Sequence, residues 1–84
     1  MVEEKWLATI IQTISEVLAQ RGEVVPTIVP EDSVRDKVVL DSFEWAEVAI
    51  KLELALGQDP FELIRAQEAD IQTVDDIAAL YRQG

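Results

Sequence analysis

From Glu3 to Gln20 the apolar residues Trp6, Leu7, Ile10, Ile11, Ile14, Val17 and Leu18 recur at helical spacing, and Lys5, Thr9, Gln12 and Glu16 fall opposite. One apolar arc against one polar arc predicts an amphipathic helix. Gly22, preceded by Arg21, supplies its stop. The next stretch, Glu23 to Val39, sets Pro26 and Pro30 among Val24, Val25, Ile28 and Val29. Prolines at that spacing break a helix, and the apolar residues do not alternate as a strand requires. The stretch reads as a long loop held by buried apolar anchors, with a short hairpin as the alternative. Within Glu31 to Lys37, Asp32 or Ser33 can cap a single helical turn.

A second helix is expected from Ser42 to about Leu56, stopped by Gly57. At 100° per residue, Trp45, Val48, Ala49, Leu52 and Leu56 form one apolar stripe, and Phe43, Ala46, Ile50 and Leu54 form another. A helix apolar on two sides is either buried all round or offers one side to something outside. Glu47 and Glu53 edge the second stripe, which assigns that side to a partner and the first to the core. Asp59-Pro60-Phe61-Glu62 opens a shorter third helix, with Asp as cap, Pro in the first turn and Glu three residues after the cap. Phe61 and Ile64 are expected to pack inward. Thr73 caps a last helix with Asp76 reaching back, and Val74, Ile77, Ala78 and Tyr81 make its buried face. The expected fold is all-α: a small four-helix bundle of three longer helices and a short third one, with the long loop between the first two.

Composition narrows the chemistry. The chain has 84 residues, enough for one domain over residues 1–84, and a domain near this size buries only about 60–65% of its unfolded surface. Its hydrophobic fraction of 49% suffices for a packed core. With no cysteine and no histidine, disulfides, thiolate chemistry and histidine ligands or bases are excluded. A formal net charge of −10 argues against nucleic acid and anionic membranes and for basic protein partners. The segment Met1 to Lys5 lacks the pattern of a signal peptide, and no apolar run approaches the ~20 residues of a membrane span. The expected location is cytoplasmic.

The candidate chemistry gathers at Asp41-Ser42-Phe43-Glu44. Asp41 suits an N-cap, and Glu44 three residues later completes a capping box. Ser42 then takes the first helical position with its hydroxyl outward, where the helix dipole favours a bound phosphate. Asp41, Glu44, Glu47, Glu53, Asp59 and Glu62 surround the same helix against the single base Lys51. Such clustering beside a surplus apolar stripe gives electrostatic steering followed by a small apolar dock. Capped, solvated carboxylates stay ionised, which is poor material for acid–base catalysis. Residues 31–36 lack the spacing and the glycine of a calcium-binding loop. The chain is expected to be no enzyme and to hold no dedicated metal site.

Asp41-Ser42-Phe43 resembles the Asp-Ser-Leu motif of acyl carrier proteins, and Ile71-Gln72-Thr73-Val74-Asp75-Asp76-Ile77 is similar to that family's Ile-x-Thr-Val-x-x-Ile segment opening the last helix. Glu44, Glu47 and Ile50 match its usual acidic and apolar positions, and the helix order and long first loop agree. The sequence departs from the family in lacking the glycine before the serine, in the aromatic Phe43, in the bulky Trp45 and in a longer segment from Gly57 to Asp70. These differences point to a specialised member.

The resemblance implies 4′-phosphopantetheine esterified to Ser42, with Asp41 helping to order Mg²⁺ and coenzyme A during attachment. It implies a monomer that holds an acyl group as a thioester for fatty-acid, polyketide or related specialised biosynthesis. The partners would be basic patches on a phosphopantetheinyl transferase and on acyl-activating, acyl-transferring or condensing enzymes. Phe43, Glu44, Ala46, Glu47, Ile50 and Glu53 would make the contact. Two alternatives remain at this point, a peptidyl or aminoacyl carrier and an unmodified acidic adaptor using the same helix face. Repulsion among the acids predicts that salt or millimolar Mg²⁺ raises the melting temperature. A flat response to both in a thermal melt would show the charges to be already dispersed or paired.

Overall fold

Local capping chemistry marks where the last three helices begin. In the computed structural model, which describes residues 5–22 and 24–83, α1 is Lys5–Ala19, α2 Ser42–Leu56, α3 Pro60–Gln67 and α4 Val74–Gln83. The expected all-α bundle with a short third helix is the observed architecture, and the described residues contain no strand. The expected start of the first helix at Glu3 lies outside the described residues. Gly22 closes the turn after α1 at φ 80°, its N–H donating to Ala19 O. Gly57 stops α2 at φ 84°, donating to Glu53 O. Both conformations lie where glycine is favoured. Asp59 caps α3 through Phe61 N–H, with Pro60 at the first position. Thr73 Oγ1 accepts from Asp76 N–H while the Asp76 carboxylate accepts from Thr73 and Gln72 N–H, as a capping box does. Those two backbone donors, Gln72 first and then Thr73, hold the Asp76 carboxyl below its usual range.

α1 packs against both α2 and α4, and α3 packs against α2 and α4 from the other side. The core is the inward arc of α1 (Ile10, Ile14, Val17, Leu18), the first stripe of α2 (Val48, Ala49, Leu52) and α4. Leu80 of α4 is also buried, because that helix is covered from two sides. Trp6 stacks on Tyr81 with ring centroids 5.9 Å apart. The buried Tyr81 hydroxyl donates to Gln58 O at 3.0 Å, tying α4 to the α2–α3 turn. Burial first, then the charges of Asp59 and Glu53, pushes the Tyr81 phenol well above its ordinary range. Among the described residues, no helix is long and apolar enough to cross a membrane.

The long loop is stitched to the start of α4. Val74 and Asp75 N–H donate to Asp32 O and Pro30 O at 3.0 and 2.9 Å, and Val34 N–H donates to Gln72 O at 3.0 Å. Two of the four backbone donors that a helix start leaves open are thereby satisfied by the loop. Ser33 caps a single turn, its hydroxyl accepting from Arg35 and Asp36 N–H. The anchors differ in part from expectation. Ile28, Val38 and Leu40 are buried, whereas Val24 and Val29 face solvent. Phe61 also departs from its inward assignment, remaining 41% exposed while lining a cavity described below. It sits one residue after Pro60, and Pro60 takes the buried place at the start of α3.

The two stripes of α2 give a direct comparison. Leu52→Ala, at a fully buried side chain, is expected to cost about 2–5 kcal/mol in a urea titration. Leu54→Ala, at a residue 82% exposed, is expected to stay within about 0.5 kcal/mol. Equal costs would show that both stripes are buried.

Candidate functional site

The start of α2 is built from three chain segments. Asp41, in extended conformation, accepts Glu44 N–H through Oδ1 at 2.8 Å, and Glu44 Oε1 accepts Asp41 N–H at 3.1 Å. Trp45 N–H donates to Asp41 O, closing the first helical turn. Arg21, just beyond the end of α1, reaches across this turn. Its Nε donates to Glu44 Oε2 at 2.8 Å, and its terminal nitrogen donates to Glu44 Oε1 and, at 2.7 Å, to Val39 O. A planar guanidinium suits this fork, which takes both carboxylate oxygens and a carbonyl at once.

Ser42 stands inside this frame as the first residue of α2, exposed, with its hydroxyl held by no partner among the described residues. The backbone N–H groups of Ser42 and Phe43 are likewise uncapped there, as the Asp41 cap takes only Glu44 N–H. Two open donors at a helix N-terminus favour an anion. Beside Ser42, Phe43 is 80% exposed, and Ile50 at 59%, Leu54 and Ala46 continue the same face. The second stripe predicted from the helical wheel is thus the outward one.

The acids sort differently from expectation. Glu53 is exposed, and half-buried Glu47 accepts from Gln20 Nε2 at 2.9 Å. Glu44, assigned from the sequence to partner contact, is committed within the molecule to Arg21 and Asp41. The Arg21 bonds first, and then the Asp41 N–H, hold its carboxyl at about 2 against an ordinary 4.5. Sequence reasoning treated Arg21 only as a helix-terminal base. A cation at a helix C-terminus is favoured locally, and nothing in the linear pattern ties it to position 44.

A second feature lies behind the serine. The backbones of α2 and α4 do not pack against each other, and between them sits an apolar cavity of about 210 Å³. Trp45, Val48 and Leu52 of α2, Phe61 and Ile64 of α3, and Leu80 of α4 contribute to its lining. Val34 and Ile71 also line it, brought there by the stitch between loop and α4. Trp45, one turn from Ser42, therefore lines this space, while Trp6 is engaged with Tyr81.

A depressed carboxyl links the brace to acid stability. Glu44 has a lower pKa folded than unfolded, so its contribution is full above about 4.5 and is lost as pH falls toward about 2. The gap in melting temperature between wild type and Glu44→Gln is therefore expected to be widest above pH 5 and to close toward pH 2. A gap constant across that window would show that Glu44 gains nothing from Arg21. No protein-family model, curated protein or solved structure matches this chain.

Proposed function

We propose that the chain is a carrier protein that takes a phosphopantetheine arm on Ser42 and presents a carboxylic group to partner enzymes. The observation that carries this reading is Ser42 itself. An exposed, unengaged hydroxyl is held at the first position of a braced helix, and an apolar face with Glu47 and Glu53 at its edges runs away from it. The surroundings fit the group. The open Ser42 and Phe43 N–H groups favour its phosphodiester, and Asp41, with Oδ1 spent on the cap, leaves Oδ2 for a cation accompanying the donor. The arm supplies a flexible thiol on which an acyl group is carried as a thioester.

Attachment balances as a simple displacement. The Ser42 oxygen bonds to the β-phosphorus of the coenzyme A pyrophosphate and gives up its proton to a base of the transferase. The bond to the 3′,5′-ADP oxygen breaks, and that nucleotide leaves. Nothing in this step requires a catalytic group from the carrier, which agrees with a chain without histidine or cysteine. The transferase must reach the hydroxyl and dock beside it, and the Phe43–Ala46–Ile50 face with its flanking acids supports a partner that is apolar at its centre and basic at its rim. The cavity lined by Trp45 is apolar and comparable to engineered cavities of about 150 Å³ that admit a benzene-sized group. It gives an apolar cargo a place to fold back.

Incubation with coenzyme A and a broad-specificity phosphopantetheinyl transferase, followed by intact mass measurement, is expected to add one arm to wild type and none to Ser42→Ala. No gain with several transferases, or an unchanged gain on Ser42→Ala, would overturn the reading. Glu47→Lys is expected to raise the transferase KM about tenfold, equivalent to about 1.4 kcal/mol of docking. An unmodified adaptor would instead lose partner binding with Glu47→Lys and be indifferent to Ser42→Ala.

A further inference from the structure

We propose that Arg21 is a positioning residue for Ser42: its guanidinium fixes the backbone on both sides of the serine and so sets where the hydroxyl stands for attack. The inference rests on the carrier reading. Two groups in the serine's segment bond Arg21 directly, and a third joins them through Glu44. Val39 O accepts at 2.7 Å on the loop side, both Glu44 carboxylate oxygens accept on the helix side, and Asp41 N–H donates to Glu44 Oε1 at 3.1 Å. Ser42 lies between these anchored positions and its hydroxyl has no partner of its own among the described residues, so the hydroxyl takes its place from the backbone they hold. The guanidinium comes from the end of α1, which is packed on α2 through the core, so the brace refers the serine to the rigid body of the bundle.

The arrangement also separates the two jobs of this surface. Glu44 is consumed by the brace, and docking is left to the apolar face, Glu47 and Glu53. Positioning and docking therefore have different kinetic signatures. A serine displaced from its attack position lowers kcat, because misplacement by about 1 Å in a transfer reaction costs up to ~100-fold. Loss of a steering charge raises KM. Removing the Arg21 charge makes the chain more acidic, so an electrostatic effect alone would lower KM for a basic transferase. The two effects on Arg21 variants thus have distinguishable signs.

Lysine keeps the charge but is a point donor that cannot span both Glu44 oxygens and Val39 O. With the purified full chain, coenzyme A and a transferase that modifies wild type, Arg21→Lys and Arg21→Gln are expected to lower the kcat of arm attachment about tenfold. KM is expected to stay the same for Arg21→Lys and the same or lower for Arg21→Gln, at a temperature where circular dichroism shows both folded. Glu44→Gln, which keeps the side-chain shape, is expected to lower kcat as well and to add little to Arg21→Lys in the double variant. Wild-type kcat in a folded Arg21→Lys overturns the inference, even if its melting temperature falls. If the arginine variants do not fold, wild-type kcat in Glu44→Gln overturns it. A wild type that gains no mass with any transferase overturns the carrier reading itself, and this inference with it.

Discussion

At the N-terminus of α2 one backbone donor is capped while the hydroxyl beside it stays free, and much of the molecule follows from how that is done. A serine placed at the N-cap would spend its oxygen on a backbone N–H. Asp41 takes that duty, and Ser42, one residue later, is released from it. The cap alone would leave two carboxylates, Asp41 and Glu44, side by side at the helix start. Arg21 offsets one of the two charges, that of Glu44, and joins the segment after α1 and Val39 of the loop to the same point. The same segments also contribute Leu18, Val38, Leu40 and Val48 to the buried core.

Cations are scarce in this chain, seven against seventeen acids, so their placement is informative. Among the described residues, Arg21, Lys37, Arg65 and Arg82 each pair with an acid, and the pairs at Arg21 and Lys37 involve the α2 brace and the loop. The Arg65–Glu62 pair is solvated on both sides and adds little. The outcome is an uneven surface. Acids near the structural junctions are matched, while Glu53 on the outer side of α2 stays exposed. Net charge of this kind destabilises the compact state through self-repulsion but raises the rate of encounter with a basic partner.

Much of this was legible in the sequence where the chemistry is local. The starts of α2, α3 and α4 were readable from Asp41/Glu44, Asp59-Pro60 and Thr73/Asp76, and the end of α2 from Gly57, because a cap involves residues three or four apart. The end of α3 carries no such mark. It turns at Glu68, a non-glycine at φ 50°, and Ala69 N–H closes it on Ile64 O. The loop was legible as a loop but not in its orientation. Without a period, nothing local says that Ile28 and Val38 go in while Val24 and Val29 stay out; the stitch of Pro30, Asp32 and Val34 to α4 accompanies that arrangement. At the candidate site Ser42 and the outward stripe could be read from a wheel. The commitment of Glu44 to Arg21 could not, since it joins positions 23 apart in the chain.

The outward stripe is the remaining feature that stability does not account for. Burying a side chain such as Phe or Leu is worth about 1.5–3 kcal/mol, and a domain of this size has few such contributions to spare. Phe43, Ile50 and Leu54 nonetheless point to water from the same helix that supplies Val48 and Leu52 to the core. Polar residues at those three positions would leave the core stripe intact and would suit an exposed helix surface at least as well. Scattered exposed apolar residues are ordinary, whereas a row along one helix beside a free hydroxyl is what the carrier reading proposed above expects of a docking face. On the carrier reading, transient cover is the functional requirement. In that proposal the arm is loaded by one enzyme and unloaded by another, so each partner has to leave. A narrow apolar row with an acidic edge gives steering and registration without the large buried area of a permanent complex.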